Sequence, residues 1–416
     1  MDNYQPLKVF KYNHAGNNAA YDAEYHNRFS ALTTYRTNLK PNLMSRGKFS
    51  TSKYPIFVVN LPSITIKTEQ ILTNSVTIKA IATNLPGIAA TQFLLETMGN
   101  EIVSTNEIEG VKSTRQEVDE AIVSINEKKS KQRLTSTVKK YQDILDGDFL
   151  RVEQLSDIRK IYDSLLEGEI AEADLPDGEL FRTKPVFIQG GNVDKKVLSA
   201  PTNEADIDAR LTDWLLFINQ HDTPFMLRAL IGHYFFENTH PFYDGNGRTG
   251  RYILSMYLAR RLDIFTGISF SQSVKSNRAK YYKAFSETGD VDNMADGTIF
   301  VIAMMDIILD SQQAIIHSLT EKSEQLKTVD GRIQEDFAVG TPEHLVLNLL
   351  AQSTLFNNST TTGIIDNEIA TIGSHSGLSI RGVKEAIKNL TEAGEIKLIK
   401  RRPMQHVLAE KYLAEI

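Results

Sequence analysis

The 416-residue chain contains no cysteine. That absence excludes disulfides, thiolate metal sites, iron–sulfur clusters and a cysteine nucleophile together, and it fits a reducing compartment without defining one. A signal-peptide core is missing too, because Met1-Asp2-Asn3-Tyr4-Gln5-Pro6 leads into no uninterrupted apolar run. The most apolar later stretch, Ile299 to Leu309, is crossed by Asp306 and reads as too short to span a bilayer. These gaps predict a cytoplasmic chain with no membrane partner. Strong charge of one sign is also lacking. Lys and Arg number 46 against 52 Asp and Glu, a formal charge of −6, which argues against a chain-wide nucleic-acid coat but not against a local basic patch. The rest is ordinary globular composition, over a length that suits about two to three domains.

Residues 1–65 are polar with weak periodicity and read as an extended arm, with a strand at Ile56-Phe57-Val58-Val59. Residues 66–180 read as helical, and Thr114 with Glu117 has the spacing of a capping box that starts a helix to about Asn126. Val186-Phe187-Ile188, Gly190-Gly191-Asn192 and Val197-Leu198 read as a short hairpin. Helices resume near Ala205 and include the only tryptophan, Trp214. Thr223-Pro224 predicts a helix start running to about Glu237, and further helices are predicted over 248–262 and 298–326. Val329-Asp330-Gly331-Arg332 reads as a linker, the cluster 357–362 as a loop, and 341–416 as a separate unit.

The informative segment is His240-Pro241-Phe242-Tyr243-Asp244-Gly245-Asn246-Gly247-Arg248-Thr249-Gly250-Arg251. Two glycines bracket Asn246 just before a predicted helix, so the backbone can turn tightly and present N–H groups outward. A loop feeding a helix N-terminus in this way is an anion site. Arg248 and Arg251 share one helical side, yet two cations at a helix N-terminus oppose its dipole. A bound polyphosphate would resolve that conflict. His240 can act as a general base, and Asp244 offers the hard oxygen that Mg²⁺ on a nucleotide prefers.

This segment resembles the signature of the Fic family, His-x-Phe-x-Asp/Glu-Gly-Asn-Gly-Arg-x-x-Arg, at every defined position. The likeness extends over roughly 93–311 and implies a mainly α fold: a Fic-type helical core with a β-hairpin flap. Residues 181–328 would form that core, with flap and catalytic motif. The implied activity is transfer of AMP from ATP, with Mg²⁺, to a Tyr, Thr or Ser hydroxyl of a protein target, the enzyme itself included. By resemblance His240 is the base and Asp244 holds Mg²⁺. Gly245, Asn246 and Gly247 steady the α- and β-phosphates, while Arg248 and Arg251 take the β- and γ-phosphates. Phe242 packs beneath the loop. Val186, Phe187, Ile188 and Gln189 would form the edge that docks the target, and Tyr281 and Tyr282 fall where relatives line the adenine pocket.

Thr105-Asn106-Glu107-Ile108-Glu109-Gly110 matches the family's inhibitory pattern Ser/Thr-x-x-x-Glu-Gly/Asn. The resemblance implies an inhibitory helix around 93–110 whose Glu109 competes with phosphate for Arg251. In some relatives the same glutamate positions water for AMP removal. Three helical segments and a two-stranded pattern in 341–416 have the order of a winged helix-turn-helix, which recurs in Fic proteins. Eight basic residues there balance eight acidic ones, which leaves DNA binding and protein docking both open. A homodimer is an expectation from the family. The alternatives are removal of AMP, another nucleotidyl or phosphoryl transfer on the same fold, or a nucleotide-sensing DNA-binding regulator. A metal hydrolase is disfavoured, since His240 and Asp244 are too few ligands.

Overall fold

The structure, a computed structural model, describes residues 4–126, 133–189, 196–199, 201–357 and 363–414. The glycine turn read at 190–192 and most of the loop read at 357–362 fall outside them. Two units divide the chain: Met1–Ser75 with Glu101–Gln312, and Val76–Asn100 with Gln313–Ile416. Helices make up 65% of the chain, so the expected mainly α class holds.

The first unit begins with α1 (Leu7–Asn13) and α2 (Asn18–Ser30), followed by four short strands. Strand β1 (Thr34–Arg36) pairs antiparallel with β4 (Phe57–Val59), and β2 (Leu43–Ser45) with β3 (Lys48–Thr51). The N-terminal segment is therefore folded and not an extended arm. Asn17 caps α2 by accepting the Ala20 N–H, and Leu7, Tyr21, Tyr25, Phe57 and Met294 close one buried cluster. The sequence hides this because the inner face of α2 consists of tyrosines on an otherwise polar helix. Helices α3 (Pro62–Thr83) and α4 (Gly87–Ile108) follow, each contributing residues to both units.

Helix α5 (Arg115–Asn126) starts at the expected capping box: Thr114 Oγ1 accepts the Glu117 N–H at 3.2 Å, and Glu117 Oε2 accepts the Thr114 N–H at 2.8 Å. Then come α6 (Thr135–Leu145), α7 (Leu155–Leu165) and the hairpin β5 (Val186–Gln189) with β6 (Lys196–Ser199), whose first pair is Val186 with Ser199. Helix α8 (Glu204–Asn219) and α10 (Asn246–Arg261) both pack against α9 (Phe225–Thr239). Nearly every side chain of α9 is buried, from Met226 to Phe236, as expected of a helix that is apolar all round and lies at the centre of a core. Three shorter helices, α11 (Ile264–Gly267), α12 (Phe270–Ser276) and α13 (Arg278–Thr288), lead into α14 (Thr298–Asp336).

The linker read at 329–332 is helical. Buried Leu326, Val329 and Ile333 continue the inner stripe of α14, and that burial outweighs the roughly 1 kcal/mol an interior glycine costs. The apolar run read as too short to span a bilayer thus belongs to a 39-residue helix, long and apolar enough by length and composition to cross one. Its apolar window is 61% buried within the fold.

In the second unit, the first half of α4 meets α15 (Pro342–Phe356), with Phe93 edge-on to Phe356. Helices α16 (Asp366–His375) and α17 (Ile380–Glu392) precede a three-stranded antiparallel sheet. Its order is β7 (Ile364–Ile365), β9 (Met404–Leu408) and β8 (Ile396–Arg401), one strand more than the sequence predicts. Val383, Ala386, Ile387 and Leu390 bury the inner face of α17, which Ser379 caps through the Gly382 N–H.

Candidate active site

The turn between α9 and α10 carries the site. Helix α9 stops because His240 adopts the left-handed conformation (φ 54°, ψ 63°) and the next residue is proline, which cannot continue the helix. Asn246 then closes the loop from its far side. Its Oδ1 accepts the Phe242 N–H and its Nδ2 donates to the Phe242 carbonyl, both at 2.8 Å. The Phe242 ring is fully buried and stacks on Tyr162 at 3.8 Å between centroids, which accords with its expected packing role. Gly245 has φ +80°, and a Cβ there would overlap Leu166 Cδ1, so both conformation and space require glycine. The first α10 bond runs from the Thr249 N–H to the Gly245 carbonyl. The N–H groups of Asn246, Gly247 and Arg248 therefore have no partner within the helix. Donors without intrahelical partners at the positive end of a helix dipole suit an anion.

His240 stands at the mouth of this loop, half-buried. Its Nδ1 lies 3.3 Å from the Glu237 carbonyl. A carbonyl can only accept, so the proton sits on Nδ1 and Nε2 keeps its lone pair. Burial lowers the ring's pKa to about 4, so it is neutral near pH 7 and able to take a proton.

Both arginines already hold carboxylates. Arg251, 1% exposed, places Nη2 at 2.8 Å from Glu109 Oε1. Its Nε donates to Thr105 Oγ1 at 2.9 Å and its Nη2 to the Thr105 carbonyl at 3.0 Å. Burial, the largest single influence, lowers the guanidinium's pKa, but Glu109, Tyr281 and Glu237 together outweigh it and the net shift is upward. Glu109 follows the last residue of α4 and lies over the start of α10, where a Cβ on Gly247 would overlap its Oε1. Arg248 is 2% exposed, with Nη1 at 3.4 Å from Glu169 Oε2 and Nη2 at 3.5 Å from Asp244 Oδ2. Glu169 also accepts the Thr137 hydroxyl at 2.6 Å.

Other expected site residues divide. Asp244 is half-exposed on its side chain, with Oδ1 accepting the Gly245 N–H at 2.5 Å. No cluster of three potential ligands exists among the described residues, but one open carboxylate fits a hard divalent ion whose remaining ligands come from phosphates and water. The Asn246 amide is engaged with Phe242, so it acts by shaping the loop. Tyr281 is buried with its hydroxyl 2.8 Å from His233 Nε2, a core position, whereas Tyr282 is 37% exposed beneath the Arg278 guanidinium. Val186, Phe187, Ile188 and Gln189 form β5 as expected. Cavities of about 20 and 30 Å³ lie against α9 and α10 near Trp214 and Asn219; each has room for about one water.

Four further residues shape the site without a sequence signal. Glu169 is one acid among several in the segment after α7. Arg182 precedes the hairpin, fully buried, and donates to the His240 carbonyl at 2.8 Å. Glu101, also fully buried, accepts the N–H groups of Ser271 and Gln272 at the start of α12; burial lifts its pKa to about 7. Glu237 is half-buried as a residue, but its Oε1 is fully enclosed beside Gly250 without a hydrogen-bond partner among the described residues, and burial lifts its pKa to about 8.

An anion-accepting helix start, a neutral base and two carboxylate-held arginines define the class of site. Residues 152–258 match the model described as the Fic/DOC family, a match that takes in the hairpin, α9 and most of α10. Among solved structures, a Fic family protein from Desulfovibrio desulfuricans G20 is 16% identical, with a TM-score of 0.48 over 84% of this chain and 97% of that one. Fic-1 (residues 134–508) from C. elegans is 19% identical, with a TM-score of 0.42 over 62% and 74%. A Fic domain containing signaling protein from Bacteroides thetaiotaomicron VPI-5482 is 14% identical, with a TM-score of 0.43 over 61% and 98%.

Proposed function

We propose that this chain is an autoinhibited protein adenylyltransferase, moving AMP from ATP to a Tyr, Thr or Ser hydroxyl of a protein. The family match supports a nucleotidyl- or phosphotransferase of the Fic type. The observation that carries the finer reading is the Glu109 carboxylate, paired with Arg251 and seated over Gly247 at the start of α10. A side chain of this chain thereby occupies an anion site beside a neutral base.

In this reading the phosphates settle on the N–H groups at the start of α10, with Arg248 and Arg251 taking the terminal phosphates. His240 Nε2 accepts the proton of the acceptor hydroxyl as its oxygen attacks the α-phosphorus. The bond between the α-phosphorus and the bridging oxygen breaks, and pyrophosphate leaves with that electron pair. Asp244 would hold Mg²⁺, which when bound screens phosphate charge. The loop's contribution is positioning and charge stabilisation. Glu109 blocks this arrangement by keeping Arg251 from the γ-phosphate. Its partly exposed carboxylate also favours a second reading, in which it orients water to remove AMP.

The test is incubation of Glu109→Gly with ATP labelled at the α-phosphate. Self-modification should rise at least about tenfold over the parent, with a mass gain of one AMP, and Glu109→Gly with His240→Ala should lose it. A Glu109→Gly variant as silent as the parent would sink the reading.

A further inference from the structure

Resting on that reading, we infer that Arg182 and Tyr243 form a latch that ties the base of the β5–β6 hairpin to the catalytic loop, and so sets where an acceptor docked on β5 presents its hydroxyl to His240. Arg182 sends three donors to three stretches of chain: Nε to the His240 carbonyl at 2.8 Å, Nη1 to the Lys184 carbonyl at 2.6 Å, and Nη2 to the Pro201 carbonyl at 2.9 Å. Lys184 lies two residues before β5 and Pro201 two after β6, so one guanidinium grips both ends of the hairpin and the backbone of the base. The Arg182 N–H also donates to the Pro241 carbonyl at 3.1 Å.

Tyr243 adds a second tie. Its hydroxyl accepts the Lys184 N–H at 3.1 Å and donates to Asp177 Oδ1 at 2.7 Å, and that same oxygen accepts the Thr183 N–H at 2.9 Å. Glu204, in the first turn of α8, steadies the approach by accepting the N–H groups of Glu179, Leu180 and Phe181.

Burying a guanidinium whose described partners are all carbonyl oxygens is costly, and a simple turn does not need it. The planar fork spreads its donors over three nitrogens and so reaches carbonyls set well apart, whereas a lysine ammonium offers its three N–H groups from a single nitrogen. The two residues are positioning residues, because neither touches the reacting atoms.

The test uses the full chain in the Glu109→Gly background, with Tyr243→Phe and Arg182→Lys. Self-modification should fall about tenfold or more, while the dissociation constant for ATP stays within about twofold. Hydrogen exchange at the Lys184 and Val186 amides should quicken about tenfold or more. Unchanged transfer, or ATP affinity falling in step with transfer, overturns the inference. Tyr243→Phe removes a single hydroxyl, so it keeps the test open if Arg182→Lys fails to fold. If the Glu109→Gly parent transfers nothing, the functional reading fails; unchanged amide exchange in Tyr243→Phe then overturns the latch by itself.

Discussion

Arg251 is almost wholly enclosed and holds one carboxylate, Glu109, so removing Glu109 strands a buried cation. Breaking a fully buried pair in this way costs about 3–5 kcal/mol, and less here because the Glu109 side chain is partly exposed. The expected outcome in a thermal melt is a lower Tm for Glu109→Gly and a larger upward shift on adding ATP than the parent shows. Equal shifts would mean that phosphate does not take the place of the carboxylate. Glu169 stands toward Arg248 much as Glu109 stands toward Arg251. Glu169→Gln keeps an acceptor for Thr137 and removes the competing charge, so ATP binding by calorimetry should tighten about fivefold, roughly 1 kcal/mol. At this scale the sequence was legible wherever chemistry forces a residue type: His240, Gly245 and the paired arginines. It was silent on Glu169 and Arg182, whose roles depend on contacts across 79 and 58 residues of chain.

The second half of α4 and the turn residue that follows it work as one element. Glu101, Thr105 and Glu109 recur every four residues and so share a face; they hold, in turn, the start of α12, the side of Arg251 and its tip. Glu101→Ala leaves the α12 N–H groups uncapped in a dry site, at a cost of about 1–3 kcal/mol. It should also raise basal self-modification, because the anchor behind Glu109 loosens. Denaturant unfolding and labelled ATP read the two effects separately, and a destabilised variant with unchanged basal transfer would mean that Glu101 is structural only. Helices with strong local signals were readable in advance: the Thr114–Glu117 box, the start of α9 after Pro224, and the three helical segments within 341–416. The N-terminal helices and the unbroken α14 were not, because long-range burial decided them against weak or contrary local propensity.

Across the whole molecule, burial shifts acids and histidines in opposite directions, and the consequence is a pH profile. Glu101 and Glu237 hold protons in the folded state up to about 7 and 8, well above the ordinary carboxylate value. Their contribution is complete below that value and is lost as pH rises through 7 and 8. His233 and His240, lowered to about 3 and 4, contribute stability present above the ordinary histidine value and lost as pH falls toward 4 and 3. The slopes oppose one another between roughly pH 4.5 and 6.5, so Tm should be highest there and fall toward pH 8. Glu237→Gln should flatten the alkaline decline; a variant with the parent's slope would remove Glu237 from this account. The net charge of −6 foretold none of this, since the ionisations that matter are enclosed and few.

Four letters of the signature are free to vary, and the first two of them in this chain are Pro241 and Tyr243. Both face the base of the hairpin, one through a carbonyl and the other through a hydroxyl. On the inferred latch, a homologue with phenylalanine at the second of these letters would match the same pattern yet lose one tie between the loop and the base of the hairpin. Chemistry is written in the fixed letters of such a signature, and the choice of client can drift in the blanks between them.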